Sequence, residues 1–349
     1  MDISSGKSRS YAERSEDNET NENERISIRR LDNERLFHGI IKKYGGRVKS
    51  YNFTDTVKLY ESPVWHLKFA PFEKSDFVRQ CFSTRLGGVS SGMYESMNLT
   101  FNDVGPYKAD TEENVLENFR RMSSVINIPT ERMVYSKQTH TTNVMAVSDE
   151  HAGMGIVRKR SFDNIDGLIT KTAGLCLVTS FADCIPVVMA DERHRCIASV
   201  HAGWRGTVGN IAAKAVSAMS REFGSLPEDL TAFIGPGICA DCYEVGEDVA
   251  ERFKNTYNEE ERGVILRKKT AGAKDILQNA VLQNEALQGK FYLNLPAANY
   301  FNLLNAGLKP ENIYVSDICT CCNSEVLFSH RASGGRRGIL CNFMAVEGS

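Results

Sequence analysis

From residue 77 onward the chain alternates between short, nearly unbroken apolar runs and longer stretches whose apolar residues recur every three or four positions. Runs 175–178, 185–189 and 196–200 are of the first kind, which predicts strands covered on both faces and places all three in the middle of a sheet. Residues 77–84, 133–136, 143–147, 231–234 and 313–315 read as further strands. The second kind predicts a helix over 110–123, with Val115, Leu116, Phe119 and Met122 on one face and Asp110 and Glu113 forming a capping box. Val208, Ile211, Ala212, Ala215, Val216 and Met219 predict another helix, entered from a Gly203-x-x-Gly206 turn. Residues 247–253 and 294–305 complete the helices, the latter with Pro296 in its first turn and Gly307 beyond its end.

The pattern fades at the N-terminus. Residues 1–36 are rich in Ser, Glu, Asn, Asp and Arg and cannot bury enough apolar surface to offset the entropy of ordering, so they are expected to form a mobile tail. Apolar residues return over 37–76 (Phe37, Ile40, Tyr44, Val48, Phe53) at irregular intervals that assign no element, and this stretch reads as an N-terminal extension. Residues 256–290 are equally weakly patterned.

Composition narrows the function classes. With 349 residues and a formal charge of −2, the chain can bury a sizeable core and has no general affinity for nucleic acid or anionic membranes, which leaves small molecules as partners. Ten cysteines would suit a secreted disulfide framework, but residues 1–30 contain no apolar signal segment, no stretch matches a membrane span, and the final Glu-Gly-Ser is no peroxisomal address. Reduced thiols and a cytoplasmic location are expected, with nuclear or peroxisome-associated sites left open.

The chemistry concentrates at predicted strand ends. Asp183 and Cys184 precede one strand, His201-Ala202-Gly203-Trp204-Arg205-Gly206 follows another, and Gln138-Thr139-His140 joins two more. Zinc favours nitrogen and sulfur donors, and a catalytic site takes three from the protein, a set that His140, Cys184 and His201 would provide. On spacing alone the alternative, hydrogen-bonded core histidines and a small buried thiol, is favoured, because ligands on separate strands have no fixed sequence signature. Asp183 would act as general base and acid beside a metal site, or merely cap the following turn. Arg205, between two glycines before a helix, suits an anion site, or packs on Trp204. Residues 85–92 form a glycine-rich turn open to close approach by a ligand, or a plain connector. Cys239 and Cys242 have C-x-x-C spacing, but Cys319-Thr320-Cys321-Cys322 reads as C-x-C-C, so both groups are read as packed or loosely reactive thiols. The basic segment 329–337 either closes over an anion or is solvated. A multicopper oxidase would need about ten histidines, many in His-x-His pairs. The chain has seven and no such pair, and no zinc base-deaminase signature either.

Taken in order, Ser83-Thr84-Arg85-Leu86-Gly87-Gly88-Val89-Ser90, Gln138-Thr139-His140, Asp166-Gly167-Leu168-Ile169-Thr170, Ala182-Asp183-Cys184-Ile185-Pro186, His201 to Gly206 and Ile234-Gly235-Pro236-Gly237-Ile238 resemble the YfiH family over about residues 77–343. These are purine nucleoside phosphorylases formerly called polyphenol oxidases or laccase-domain proteins. The resemblance implies an α+β fold, a layered catalytic domain (77–346) with mixed sheets flanked by helices, and a zinc held by His140, Cys184 and His201. It also implies phosphorolysis of adenosine, inosine, guanosine and methylthioadenosine, with adenosine deamination in the same site. In that reading Asp183, Cys184, His140 and His201 are catalytic, Arg85, Arg205 and Gln138 bind substrate or phosphate, copper is not the metal, and a homo-oligomer is compatible. The 329–337 segment departs from the expected pattern, since His330 rather than an aromatic follows Ser329. Two alternatives stand beside it: a metal-independent hydrolase using the Cys184 thiolate with His201 as base, and a non-enzymatic interaction module stapled by zinc.

Overall fold

Two six-stranded mixed sheets pack face to face in this computed structural model, which describes residues 26–269 and 289–348. Residues 1–25 of the expected tail, and much of the unpatterned 256–290 stretch, lie outside the described residues. Strands are β1 (Val57–Tyr60), β2 (His66–Phe69), β3 (Val78–Ser83), β4 (Met133–Tyr135), β5 (Val144–Ala146), β6 (Gly167–Thr170), β7 (Cys176–Phe181), β8 (Ile185–Asp191), β9 (Cys196–Ala202), β10 (Thr231–Ile234), β11 (Glu244–Val245), β12 (Leu266–Lys268), β13 (Phe291–Leu293), β14 (Ile313–Val315) and β15 (Leu340–Val346). The first sheet runs β1-β2-β3-β15-β7-β4 and the second β14-β10-β8-β9-β6-β5, with β11-β13-β12 as a small accessory sheet. In the first, only β4 with β7 is parallel; in the second, β5 with β6 and β10 with β14 are parallel and the rest antiparallel. This is the layered α+β arrangement with mixed sheets.

Every strand in the middle of the sandwich must be apolar on both faces, because each sheet has a partner sheet on one side and helices on the other. Leu177, Phe181, Leu340 and Met344 of the first sheet meet Leu168, Val188, Ile197 and Phe233 of the second, and Phe69 stacks on Phe233 at 4.1 Å between ring centroids. The outer face of the first sheet (Val178, Cys341, Phe343) is covered by Val115, Phe119 and Met122 of the helix Glu112–Ile126. The outer face of the second is covered by the helices Ile211–Phe223 and Leu295–Asn305. One polar chain crosses between the sheets: Gln80 Nε2 donates to Asn342 Oδ1 at 3.0 Å, Asn342 Nδ2 to Ser199 Oγ at 3.0 Å, and the Ser199 and Thr179 hydroxyls pair at 2.6 Å. All four groups are buried and mutually satisfied, which avoids the cost of an unpaired polar atom.

The three central runs do not share one sheet. β7 belongs to the first, β8 and β9 to the second, because residues 182–184 carry the chain across the interface between the sheets. Apolar runs covered on both faces look alike in sequence whichever sheet they join. The helix predicted from 110 starts one turn-residue later: Thr111, in extended backbone, accepts from Asn114 N, and Asp110 instead accepts from Thr111 N and Asn114 Nδ2. Asn210 at φ 59° divides the helix after Gly203 into Trp204–Val208 and Ile211–Phe223.

Residues 26–76, read as tail and extension, are built into the body. Leu31 N donates to Asp317 O at 2.8 Å, and the buried Asn33 amide donates to the carbonyls of Phe53 and Ser316. Phe37, Ile40 and Phe53 join the core on the helical side of the second sheet, and β1 and β2 pair onto β3. The elements are too short for any period to show. No helix among the described residues is long and apolar enough to cross a membrane.

Because Phe233 fills the inter-sheet core, Phe233→Ala should destabilise the chain by about 3–5 kcal/mol, read as a lower denaturant midpoint at unchanged slope. A loss below about 1 kcal/mol would show that the two sheets do not depend on this packing.

Candidate functional site

Two crossings between the sheets occur at the same end of the sandwich, and each carries a predicted ligand. The loop from β4 to β5 carries His140, and the corner from β7 to β8 carries Cys184. His201 lies near the end of β9, opposite Pro186 of β8, so the pairing of these two strands brings it beside the corner. The potential donor atoms of His140, Cys184 and His201 all lie within 4.8 Å of one another, with Cys184 Sγ 3.8 Å from His140 Nε2.

The buried carboxylate of Asp166, at the start of β6, gathers these pieces. Its Oδ1 accepts from His140 N and is paired with His201 Nδ1, both at 2.9 Å. Its Oδ2 accepts from Thr139 N at 3.2 Å, Thr141 N at 2.8 Å and Thr141 Oγ1 at 2.7 Å. Burial pushes its pKa up, but the bonds from His201 and Thr141 outweigh this and hold it at about 2. The ionised carboxylate keeps the proton of His201 on Nδ1 and leaves Nε2 turned to Cys184 and His140, the arrangement by which an outer carboxylate orients a metal-binding imidazole. Asp166 was visible only as part of a motif. No local signal tells that a buried acid will bind a histidine thirty-five positions away.

The donor set fits a metal. In the metal-free chain, burial raises the Cys184 thiol, but the charge of His201 and hydrogen bonds from both histidines overcome it and bring the pKa to about 6. Burial lowers His201, but the Cys184 thiolate and Asp166 raise it to about 9. A cation would bind the resulting thiolate and take the place of the imidazolium proton, which is released. Space is kept for it: a Cβ on Gly203 would come within 2.8 Å of His140 Cδ2 and 3.0 Å of Cys184 Sγ. Among the described residues no fourth His, Cys, Asp or Glu donor joins the three.

The three donors open into a cavity of about 850 Å³. Asp183 lines it from the left-handed region at φ 84°, its Oδ1 accepting from Thr320 Oγ1 and its Oδ2 from Arg331 N, both at 2.6 Å. Gln138 also lines it, but its amide is engaged with Ser180, donating to the carbonyl at 2.8 Å and accepting from the N–H at 2.7 Å, so it ties the β4 loop to β7. Arg205 lines the cavity and its guanidinium stacks on Trp204 at 4.3 Å. Arg85 does not line it: its guanidinium donates to the carbonyls of Glu95 and Ser324 and stacks on Phe328, so the glycine-rich turn serves as a structural clasp. Arg337 and His330, from the segment left undecided, face the cavity instead. Arg337 Nε is buried without a hydrogen-bond partner, and burial lowers the guanidinium pKa against the opposing pull of Asp183 and Cys184.

Residues 79–347 match a family model described as the multi-copper polyphenol oxidoreductase laccase. A purine nucleoside phosphorylase from Bacteroides thetaiotaomicron is 34% identical over 257 residues, spanning 73% of this chain and 87% of its own. Adenosine deaminase RL5, from an unknown prokaryotic organism, is 31% identical over 273 residues, spanning 76% and 95%. Among solved structures, YlmD from Geobacillus stearothermophilus superposes with a TM-score of 0.71 at 29% identity over 83% of this chain and 98% of that one. The Bacillus licheniformis hypothetical protein YfiH gives 0.72 at 28% identity, over 83% and 99%.

Asp166→Asn should weaken metal binding by this donor set by about 10- to 100-fold, probed with zinc in competition with a chromophoric chelator. Its folded pKa lies below the ordinary value of 3.8, so the carboxylate stabilises the chain above about pH 4 and this contribution fades as pH falls towards 2. The metal-free variant should therefore be less stable than the parent by roughly 2 kcal/mol at neutral pH, with the gap closing in acid. Wild-type zinc affinity in the variant would remove Asp166 from this role.

Proposed function

This chain belongs to the family described as the multi-copper polyphenol oxidoreductase laccase, and on that premise we propose that it is a zinc-dependent purine nucleoside phosphorylase with adenosine deaminase activity. The observation that carries the reading is the His140, Cys184 and His201 donor set opening into a nucleoside-sized cavity that also holds Arg205 and Arg337, the latter with its buried Nε free of any hydrogen-bond partner. Its substrates would be adenosine, inosine, guanosine and methylthioadenosine with phosphate, giving the base and the matching ribose 1-phosphate. The relatives' names support phosphorolysis and deamination, and two imidazoles with one thiolate suit zinc. Copper clusters of the oxidase type would need many more imidazoles than His140, His201 and His330, the histidines that reach the cavity.

When bound, the metal would supply Lewis acidity and lower the pKa of a nucleophile at neutral pH. The rest falls to the chain. In phosphorolysis a phosphate oxygen bonds to C1′ as the C1′–N9 bond breaks, and Arg205 and Arg337 would hold the phosphate and offset its charge. The departing purine needs a proton, and Asp183 is assigned to relay it: each of its oxygens has acceptor capacity beyond the bonds from Thr320 and Arg331, which fix the carboxylate in place. In deamination water adds at C6 and ammonia leaves, with the same carboxylate moving the proton. Gln138 and Asp166 act by positioning rather than by touching substrate.

A second reading has one observation of its own. The thiolate of Cys184 beside protonated His201 is the pair a metal-free cysteine hydrolase would use. Chelation separates the two, since the hydrolase would stay active.

Purified protein incubated with adenosine should yield adenine and ribose 1-phosphate only when phosphate is present, and inosine in either case. Cys184→Ala should lose both activities and the zinc of the cavity site, and normal phosphorolysis with that site empty would sink the assignment. Arg337→Gln should raise the KM for phosphate by about 10- to 100-fold while leaving deamination within a few-fold, because one charge-assisted bond to the anion is worth roughly 1.5–3 kcal/mol. An equal loss of both activities would place Arg337 elsewhere in the mechanism.

A further inference from the structure

Four thiols from two stretches some eighty residues apart converge beside the backbone that hydrogen-bonds Asp183. β10 and β14 are parallel neighbours, so their C-terminal ends leave the sheet side by side. The first leads through Gly237 to Cys239 and Cys242, the second to Cys319 and Cys322, and an isolated parallel bridge joins Gly237 to Cys319. The sulfurs of Cys239, Cys242, Cys319 and Cys322 all lie within 4.8 Å of one another, with Cys242 and Cys322 at 3.4 Å and Cys239 and Cys322 at 4.0 Å. The intervening Cys321 hides the spacing, for Cys319 and Cys322 are themselves a C-x-x-C pair.

Three features suit a closed metal site and not a packed thiol cluster. A tetrahedral zinc with bonds of about 2.3 Å to sulfur sets its ligands about 3.8 Å apart, the range these sulfurs occupy. Two backbone N–H groups point at one sulfur, those of Cys239 at 3.2 Å and Cys322 at 3.4 Å to Cys319 Sγ, and such donors favour thiolate over thiol. All four cysteines are free, and both pairs of ligands come from tight turns, which supply C-x-x-C spacing without a disulfide. Leu31, Ile238 and Tyr243 pack around the sulfurs, and Arg35 near Cys239 would temper the negative charge of four thiolates.

We propose that Cys239, Cys242, Cys319 and Cys322 bind a second, structural zinc that is separate from the cavity and braces Asp183. The braces are specific. Thr320, between two of the ligands, donates to Asp183 Oδ1 at 2.6 Å, and Ile238, beside a third, donates its N–H to Asp183 O at 2.9 Å. Arg331, whose N–H donates to Asp183 Oδ2, also donates through its side chain to the carbonyl of Cys242 at 3.2 Å. Metal binding would release the four thiol protons and lock together two chain segments some eighty residues apart, so that the site is fully ligated and takes no substrate.

The test uses the full chain purified with a phosphine reductant and no chelator, with metal counted by mass spectrometry. Wild type should hold about two equivalents of zinc, and His140→Ala, which alters an exposed side chain of the cavity site, should keep about one. That remaining metal, exchanged for cobalt, should give the intense sulfur-to-cobalt charge-transfer absorption of a four-thiolate site. Cys322→Ser should abolish that band in the His140→Ala background. About one zinc in wild type and none in His140→Ala, or a cobalt spectrum lacking the thiolate band, would overturn the proposal. So would a disulfide between any two of the four cysteines in protein isolated separately without reductant, found by mapping alkylated peptides.

Discussion

The cavity end of the molecule depends on one buried carboxylate. Asp166 is wholly enclosed, and five donors from three residues of one loop and from His201 converge on its two oxygens. An isolated carboxylate at this depth would be protonated, because leaving water costs several kcal/mol. Here the loop folds around the charge, and the charge in turn dictates the loop. His140 takes up φ 63° so that its N–H, with those of Thr139 and Thr141, can point inward, and the ring is left facing Cys184. One interaction therefore sets the position of one imidazole through its backbone and the tautomer of another through its ring.

This arrangement requires the sandwich to be stitched by chain that changes sheets. The β4–β5 and β7–β8 connections both cross from the first sheet to the second, and β9 supplies the third donor from within the second sheet. Cys184 and His201 sit where a rigid strand meets a connection, and His140 sits on a loop tied to Asp166, so the site inherits its precision from the inter-sheet packing of Phe181, Leu340 and Val188 and from that carboxylate. The polar chain from Gln80 to Thr179 runs through the same interface and fixes the sheets in register, since sliding one over the other would leave Asn342 and Ser199 unpaired in the core.

The four longer helices and eight of the fifteen strands among the described residues could be read from hydrophobic period, because period reports burial, whereas β6 and β15 were not read as strands although both lie inside their sheets. What period cannot report is which partner does the burying, so β7 and β8 were indistinguishable as members of one sheet. The three potential donors stood out as His and Cys near predicted strand ends, but their spacing alone favoured packed side chains, and only the family resemblance joined them into one set. Arg85 was conspicuous for the same reason and misled, as an arginine beside glycines can hold carbonyls as well as phosphate. Asp166, Arg337 and the four-cysteine cluster were hidden for the opposite reason: their partners are brought close only by the parallel and crossing connections of the fold. Residues 26–76 escaped because short elements contribute single anchors such as Asn33 and Phe53, which leave no repeat.

The backbone at Asp183 bears on why the corner is built as it is. A non-glycine residue at φ 84° carries a cost of order 1–3 kcal/mol that glycine would avoid, so a corner needed only to turn the chain would be better served by glycine. The cost is met by three hydrogen bonds, to the carbonyl from Ile238 and to the two carboxylate oxygens from Thr320 and Arg331. Two of those donors come from the segments that carry the four cysteines, and the third reaches back to them through the Cys242 carbonyl. The side chain is thus what the strained corner preserves, and its surroundings constrain it from the face away from Cys184. A carboxylate held in this way cannot swing out to solvent when the cavity is open. Such fixity suits the proton relay proposed for Asp183.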